Sequence, residues 1–237
     1  EYVAVLCLGV VTDTQDMTGQ VIKKCEPDVA EALPEETVRE TVMGFLGEYD
    51  QIPPMYSALK VNGRKLYELA REGKEVERKP RKVLIKELEI QETALPRVKM
   101  RVVCSKGTYI RTLCHDIGEK LGCGGAMESL TRSRVGIFNL EKALTLGQIE
   151  ALRDRQKLDD VIVKPDEVFV KDPAVVVTDR GRRMAENGNL LHMEDLSTEI
   201  CCLDGEQLRV YDATGKFYGI YRYCKKTGAM KPVRMFL

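Results

Sequence analysis

Tryptophan is missing from this chain and histidine nearly so, with only His115 and His192 among 237 residues. Two separated histidines cannot by themselves build the ligand shell of a zinc or other transition-metal site. Cysteine occurs eight times, yet no two cysteines stand in a C-x-x-C spacing. That excludes the zinc-ribbon and thioredoxin-like readings of a cysteine-bearing chain. Cys114 and His115 are adjacent on a predicted helix, where neighbouring side chains diverge by about 100°. Cys7 and Cys104 sit in apolar runs, where a free thiol packs as a small hydrophobe. The expectation is therefore no metal, no organic cofactor and a reducing, cytoplasmic compartment. No apolar run approaches a bilayer span and no basic-then-apolar leader opens the chain, so no membrane partner is expected. Internal repeats and low-complexity segments are also lacking.

Charge of one sign is lacking too: 37 Lys and Arg balance 37 Asp and Glu. The distribution is less even. Between Thr93 and His115 there is no acid, while Arg97, Lys99, Arg101, Lys106 and Arg111 are basic. After Asp212 there is again none, while Lys216, Arg222, Lys225, Lys226, Lys231 and Arg234 accumulate. Segregated basic stripes on a neutral protein suit phosphate binding, and each equally suits a solvated strand face.

The chain has 43% hydrophobic and 31% charged residues, which fits a globular protein of one large or two smaller domains. Tyr2–Leu8 reads as a strand, with Val21–Cys25 as a second that pairs with it. Pro34 to Thr37 opens a helix with Val38, Val42, Phe45 and Leu46 as its buried face. Arg64–Glu72 reads as a short helix, Val83–Ile90 and Val98–Cys104 as strands, and Arg111–Leu121 as a helix presenting Leu113, Ile117 and Leu121. Met127–Arg134 is expected to add a helical turn or two before a strand at Val135–Phe138. Pro-containing breaks near Lys164–Asp166 and Asp172–Pro173 divide the chain into domains at 1–167 and 173–237. Short strands at Ala174–Val177, Cys201–Leu203, Leu208–Tyr211, Phe217–Tyr223 and Val233–Leu237, with a helix at Arg180–Glu186, suggest a small β-barrel.

The most informative stretch is Ser105-Lys106-Gly107-Thr108-Tyr109-Ile110-Arg111-Thr112-Leu113, which runs into Asp116-Ile117-Gly118-Glu119-Lys120-Leu121-Gly122. An aromatic ring beside a guanidinium can stack a base and hold a carboxylate or phosphate. The same residues also fit an ordinary strand end. A second block is Ile52-Pro53-Pro54-Met55-Tyr56-Ser57-Ala58-Leu59-Lys60-Val61-Asn62-Gly63-Arg64-Lys65-Leu66-Tyr67, continuing to Gly73. A third is Tyr2-Val3-Ala4 with Leu8-Gly9, Thr12-Asp13-Thr14, Asp16 and Gly19. In order and spacing these blocks resemble the bacterial tRNA pseudouridine synthase B (TruB) family over nearly the whole chain, more weakly in the last third.

That resemblance implies an α+β fold, a mixed and mainly antiparallel sheet with flanking helices, followed by a small PUA-like β-barrel that binds RNA. It implies an isomerase that flips uridine 55 out of the tRNA T-loop and converts it to pseudouridine. By the same resemblance Tyr2 packs on the flipped base, Arg111 pairs with the nucleophilic aspartate, Tyr109 is a second pocket tyrosine and Leu130 lines the pocket wall. Asp16 matches an aspartate near the site and equally fits a turn cap. Lys60, Arg64, Lys65 and Lys106 are candidates for phosphate contacts to the T-arm stem-loop, or for a solvated face. The family's Gly-x-Leu-Asp-Pro segment, which carries the nucleophile, is expected upstream of Tyr2 and is not among these residues. Arg111 is accordingly expected to be an unpaired cation in a cleft. A non-catalytic RNA-binding module remains the alternative, with a guide-dependent relative ranked below it. Nothing in the sequence requires more than a monomer.

Overall fold

Residues 1–236 are described by a computed structural model. The chain forms two compact units, Glu1–Ala143 and Leu144–Leu237. The first is built on a five-stranded antiparallel sheet, in the spatial order Gly47–Gln51, Arg81–Ala94, Arg97–Cys104, Tyr2–Leu8 and Gly125–Arg132. The α+β expectation holds.

Alternation decides which face of this sheet is buried. Ala4, Leu6 and Leu8 point to one side with Val98, Met100 and Val102 from the neighbouring strand, and all six are at most 2% exposed. Two helices cover that side. Glu35–Met43 contributes Val38 and Val42, and Ile110–Lys120 contributes Leu113, Cys114 and Ile117. Leu46, expected on the first helix's buried face, is exposed, because Gly44 caps that helix after Met43. The second helix lies unusually close to the edge strand. A Cβ on Gly118 would sit 2.1 Å from the Gly125 nitrogen, so only hydrogen fits there.

Two sequence expectations fail where strand pairing outweighs local pattern. Val21–Lys24 pairs with Val10–Thr12 and not with Tyr2–Leu8, because Gly9, at φ +87°, turns the chain away from the sheet. Met127–Arg134 is not helical. The unpaired side of Tyr2–Leu8 recruits Gly125–Arg132 as an antiparallel strand, with Tyr2 opposite Arg132 and Ala4 opposite Leu130. Val135–Phe138 is likewise not one strand but a small hairpin, Arg134–Val135 with Phe138–Asn139.

The second unit holds a five-stranded mixed sheet in the order Ala174–Val176, Gln207–Tyr211, Phe217–Cys224, Ala229–Met235 and Leu191–His192. Its first pair is parallel and the rest antiparallel. The helix Asp179–Glu186 is capped by the Thr178 hydroxyl, and Tyr218 and Tyr221 lie fully inside the core. Cys201–Leu203, read as a strand, is irregular, and Leu237 lies outside the described residues. Residues 144–172 group with this unit, where the Tyr211 hydroxyl donates to Asp166 Oδ2 at 2.9 Å and Arg209 Nε to the Asp172 carbonyl at 2.9 Å.

Substituting Gly118→Ala drives a methyl group into backbone, which cannot yield as a flexible side chain would. Urea unfolding should show a loss at or above the usual overpacking cost of about 1–3 kcal/mol. An unchanged midpoint would show that the helix can shift away from the strand at little cost.

Candidate active site

Ser105, Lys106 and Gly107 end the Arg97–Cys104 strand, and the chain turns through Thr108 and Tyr109 into the helix. Gly107 adopts φ +84°, as that turn requires. Tyr109 is the extended N-cap residue, and Arg111 lies in the first helical turn. No side chain caps this helix. The turn is held instead by Gln51, which is 1% exposed. Its Oε1 accepts from the Tyr109 N–H at 2.8 Å, and its Nε2 donates to the Tyr109 carbonyl at 3.0 Å. Both backbone groups of Tyr109 are thus satisfied by one buried amide, a residue that no sequence motif singles out. Gln51 Nε2 also donates to the Tyr49 hydroxyl, whose pKa is pushed up by burial and by nearby Asp116.

Arg111 is not the unpaired cation expected from the sequence. Its Nη1 donates to Asp16 Oδ2 at 3.1 Å and to the Thr14 carbonyl at 3.0 Å, and its Nη2 donates to the Tyr56 carbonyl at 2.7 Å. The turn that carries Asp16 brings the carboxylate there. Thr12 and Thr14 hydroxyls donate to the Asp16 carbonyl, Gln15 takes φ +63°, the Met17 N–H donates to the Met127 carbonyl and the Met127 N–H to the Gln15 carbonyl. The other carboxylate oxygen, Oδ1, accepts from Thr14 Oγ1 at 3.0 Å and from the Thr18 N–H at 3.0 Å. Burial pushes the Asp16 pKa up. The Thr18 and Thr14 hydrogen bonds and the Arg111 charge outweigh it, and the carboxyl ends below its ordinary range. The stability this contributes is complete above the unfolded Asp value, about 3.9, and is lost as pH falls through the lower folded value. Thr112, 1% exposed, adds a bond from its hydroxyl to Gln15 Oε1 at 2.7 Å.

Tyr2 and Leu130 share a face of the sheet, the face covered by the Ile110–Lys120 helix. Tyr2 pairs with Arg132 in register, and Ala4 with Leu130, two residues along on each strand. Leu130 is 41% exposed, so it belongs to an open surface and not to the core. Tyr2 packs partly buried against the core, with the Arg132 guanidinium 5.4 Å from its ring centre.

The phosphate candidates separate into two groups. Lys60 and Lys106 are exposed and make no ion pair among the described residues. Arg64 is held by a forked pair with Glu72, Nη1 to Oε2 at 3.2 Å, and Lys65 Nζ donates to the Tyr67 hydroxyl at 3.1 Å. Lys60–Val61 and Arg64–Lys65 form a hairpin around Asn62 and Gly63, both with positive φ, where a helix was expected to begin. Asn-Gly between short runs is the sequence signal that could have shown it. The stripe Arg97, Lys99, Arg101 is neutralised: Arg97 Nε lies 2.7 Å from Glu128 and Arg101 Nη2 2.7 Å from Glu87, while Lys99 faces Glu92 in register. Strand pairing supplied acids that the local sequence lacked.

Two outcomes test this construction. Gln51→Leu removes both ties to Tyr109 at once; the carbonyl keeps its helical bond from the Leu113 N–H, and the Tyr109 N–H is left unpaired, at about 1–3 kcal/mol for a buried donor. Hydrogen exchange at the Tyr109 amide should quicken in that variant, and an unchanged rate would remove Gln51 as the anchor. Asp116 has its pKa raised to about 6, chiefly by burial, with Glu119 adding to the shift and His115 opposing it. A carboxyl raised in the folded state stabilises most at low pH and loses that contribution as pH rises towards 6. Asp116→Asn should therefore flatten the change in melting temperature between pH 4 and pH 7; a profile parallel to wild type would refute the shift.

With this geometry in place, comparison with known proteins identifies the lineage. Residues 1–110 match the family described as TruB family pseudouridylate synthase (N terminal domain), and residues 111–170 match the tRNA pseudouridylate synthase B C-terminal domain. The chain is 48% identical over 203 residues to the tRNA pseudouridine synthase B of Lachnoclostridium phytofermentans, covering 81% of this chain and 66% of that protein. With the tRNA pseudouridine synthase B of Clostridium kluyveri it shares 39% identity over 236 residues, covering 100% of this chain and 78% of that one. Among solved structures, one of a Cbf5-Nop10-Gar1 complex aligns with TM-score 0.70 at 21% identity, covering 100% of this chain and 66% of that chain, which establishes likeness of fold. The present sequence thus spans about two-thirds of the length of some relatives and more of others. It belongs to the TruB family of pseudouridylate synthases.

Proposed function

We propose that this chain is part of a tRNA pseudouridine synthase acting on uridine 55 of the T-loop. The observation that carries this reading is the Arg111 guanidinium, fixed by three acceptors from two separate segments. An arginine has five N–H donors. Three bonds run to Asp16, Thr14 and Tyr56, and donors remain for an incoming acid. A carboxylate placed there would be held ionised, as a nucleophile at the sugar or base must be.

The reaction breaks the C1′–N1 bond of uridine, turns the base and joins C1′ to C5. It ends with loss of the C5 proton to a base. The target must leave its stack first, which calls for an aromatic or apolar platform. In this reading Tyr2 packs on the flipped base and receives the C5 proton, Tyr109 is the second pocket tyrosine, and Leu130 forms the wall. The exposure of Leu130 and the shared sheet face of Tyr2 and Leu130 support those roles. Asp16 acts through Arg111, as a positioning group. The nucleophile is an aspartate outside these 237 residues. Supporting this, Asp16 has both oxygens engaged, and Asp13 accepts from the Gln20 N–H at 2.7 Å. Lys60 and Lys106 are the free cations for T-arm phosphates, with Arg64 and Lys65 joining if their present partners are displaced. Residues 173–237 act as a PUA-like RNA-binding domain through their acid-free terminal stretch. A cytoplasmic, monomeric enzyme without cofactor completes the proposal.

The test is pseudouridine formation in a T-arm transcript, assayed with this chain and with the full gene product. Activity in the full product and none in the chain supports the assignment. Activity in these 237 residues alone would overturn the placement of the nucleophile. No activity in either, with RNA binding intact, would favour a binding module without catalysis.

A further inference from the structure

A hollow that Arg111 does not line has the lining of a ligand site. It measures about 360 Å³ and lies between the Lys60–Lys65 hairpin and the segment leading into the Arg81–Ala94 strand. Its apolar lining is Pro53, Leu59, Val61 and Leu66, and its charged lining is Lys60, Arg78, Lys79 and Arg81 with the single acid Glu77.

Arg78 is built into the wall. Its Nη1 donates to the Pro53 carbonyl at 3.2 Å and its Nη2 to Glu75 Oε1 at 3.0 Å, which ties this stretch to the segment preceding the hairpin. Its Nε–H is buried without a partner among the described residues. A buried, unmatched donor on a charged group is costly, and a ligand acceptor removes that cost. Lys79 and Arg81 are exposed and, like Lys60, make no ion pair among the described residues. Arg97 and Arg101, on the same sheet as Arg81, are by contrast paired with Glu128 and Glu87. A lining that combines four cations, of which Arg78 is already paired with Glu75, with one acid and four apolar residues fits a ligand with a compact anionic end and a flat, less polar body.

We propose that this hollow binds one unstacked nucleotide, its phosphate on the Arg78, Lys79 and Arg81 side and its base on Pro53, Val61 and Leu59. This rests on the RNA-modifying reading, which makes the strand of a bound RNA the expected source, with a free mononucleotide the other possible source of the same chemistry. A hollow of this size lies at the small end of the ligand-pocket range, about 300–1,000 Å³, suited to a single nucleotide.

The test is equilibrium binding of the whole chain to a T-arm stem-loop RNA over a range of salt, with uridine 5′-monophosphate and uridine titrated separately. The double variant Lys79→Ala/Arg81→Ala should weaken RNA binding, and should lower the slope of log affinity against log salt by about 0.7 for each single-strand phosphate it no longer neutralises. A basic rim without a pocket would give that result too. A second variant, Val61→Phe, therefore fills the floor and leaves charge unchanged. It should weaken RNA binding about tenfold, the scale of displacing one base from its stacking partner, with wild-type salt slope and melting temperature. If both variants bind RNA as wild type does, and the monophosphate binds no better than uridine, the proposal fails while the RNA-modifying reading stands. If the monophosphate binds, the floor-filling variant abolishes that binding and RNA does not bind, the hollow stands as a free-nucleotide site and the RNA reading fails.

Discussion

The first unit depends on one guanidinium that joins pieces of chain far apart in sequence. Arg111 lies 95 residues from Asp16 and 55 from Tyr56, and it bonds to both. Neither the loop at 12–19 nor the segment at 52–57 lies within the five-stranded sheet. Each depends instead on bonds at its own margins. The loop is tied by Thr12, Thr14 and Met127, and the hairpin base by Ser57 and Leu59 carbonyls. Arg111 connects these two segments to the helix, and they also meet directly where the Tyr56 hydroxyl donates to Asp13 Oδ2 at 3.4 Å. A charged group with both chain connections and donors to spare fixes the shape of a site and still has capacity for an acidic partner. Lysine could not do this, because it offers one compact ammonium where arginine offers a planar fork.

On the sheet of this unit, two arginines of the acid-free stretch are met by glutamates from other strands. Surface ion pairs such as Arg97–Glu128 and Arg101–Glu87 contribute about 0–1 kcal/mol each, so their main consequence is to remove positive potential from the sheet. Cations without an ion pair among the described residues include Lys60 on the hairpin, Lys106 on its own turn, and Lys79 and Arg81 beside Arg78, along with others such as Lys23, Lys24, Lys86 and Arg132. A net charge of zero therefore describes neither region.

Much of the fold was legible because it follows from alternation and helical spacing: the Tyr2–Leu8 strand, the Glu35–Met43 and Ile110–Lys120 helices, and the short strands after Ala174. What failed was pairing. Gly125–Arg132 looks locally like an irregular or helical stretch, and it becomes a strand because Tyr2–Leu8 has a second edge to fill. The partners of the first basic stripe were hidden for the same reason, since Glu87, Glu89 and Glu92 meet it only across the sheet. Of the site, the block from Ser105 to Leu113 was readable as a motif, but the partners of Arg111 were not, because two of them are backbone carbonyls. A carbonyl leaves no trace in a sequence. Gln51 was invisible for a related reason: an amide that bonds to backbone at position 109 has no pattern of its own.

Gln51 and Gly118 also show how the sheet and helix share the work of holding the site. Gly118 fixes how close the helix comes to the edge strand, since backbone from Gly124 and Gly125 occupies the place a methyl would take. Gln51, at the other side of the sheet, fixes where the same helix begins. Distance at one end and starting point at the other leave the helix little freedom to slide or turn. Arg111, in its first turn, inherits that restraint. The precision of the guanidinium thus comes from residues that bear no charge, and a substitution at either would displace Arg111 without touching it.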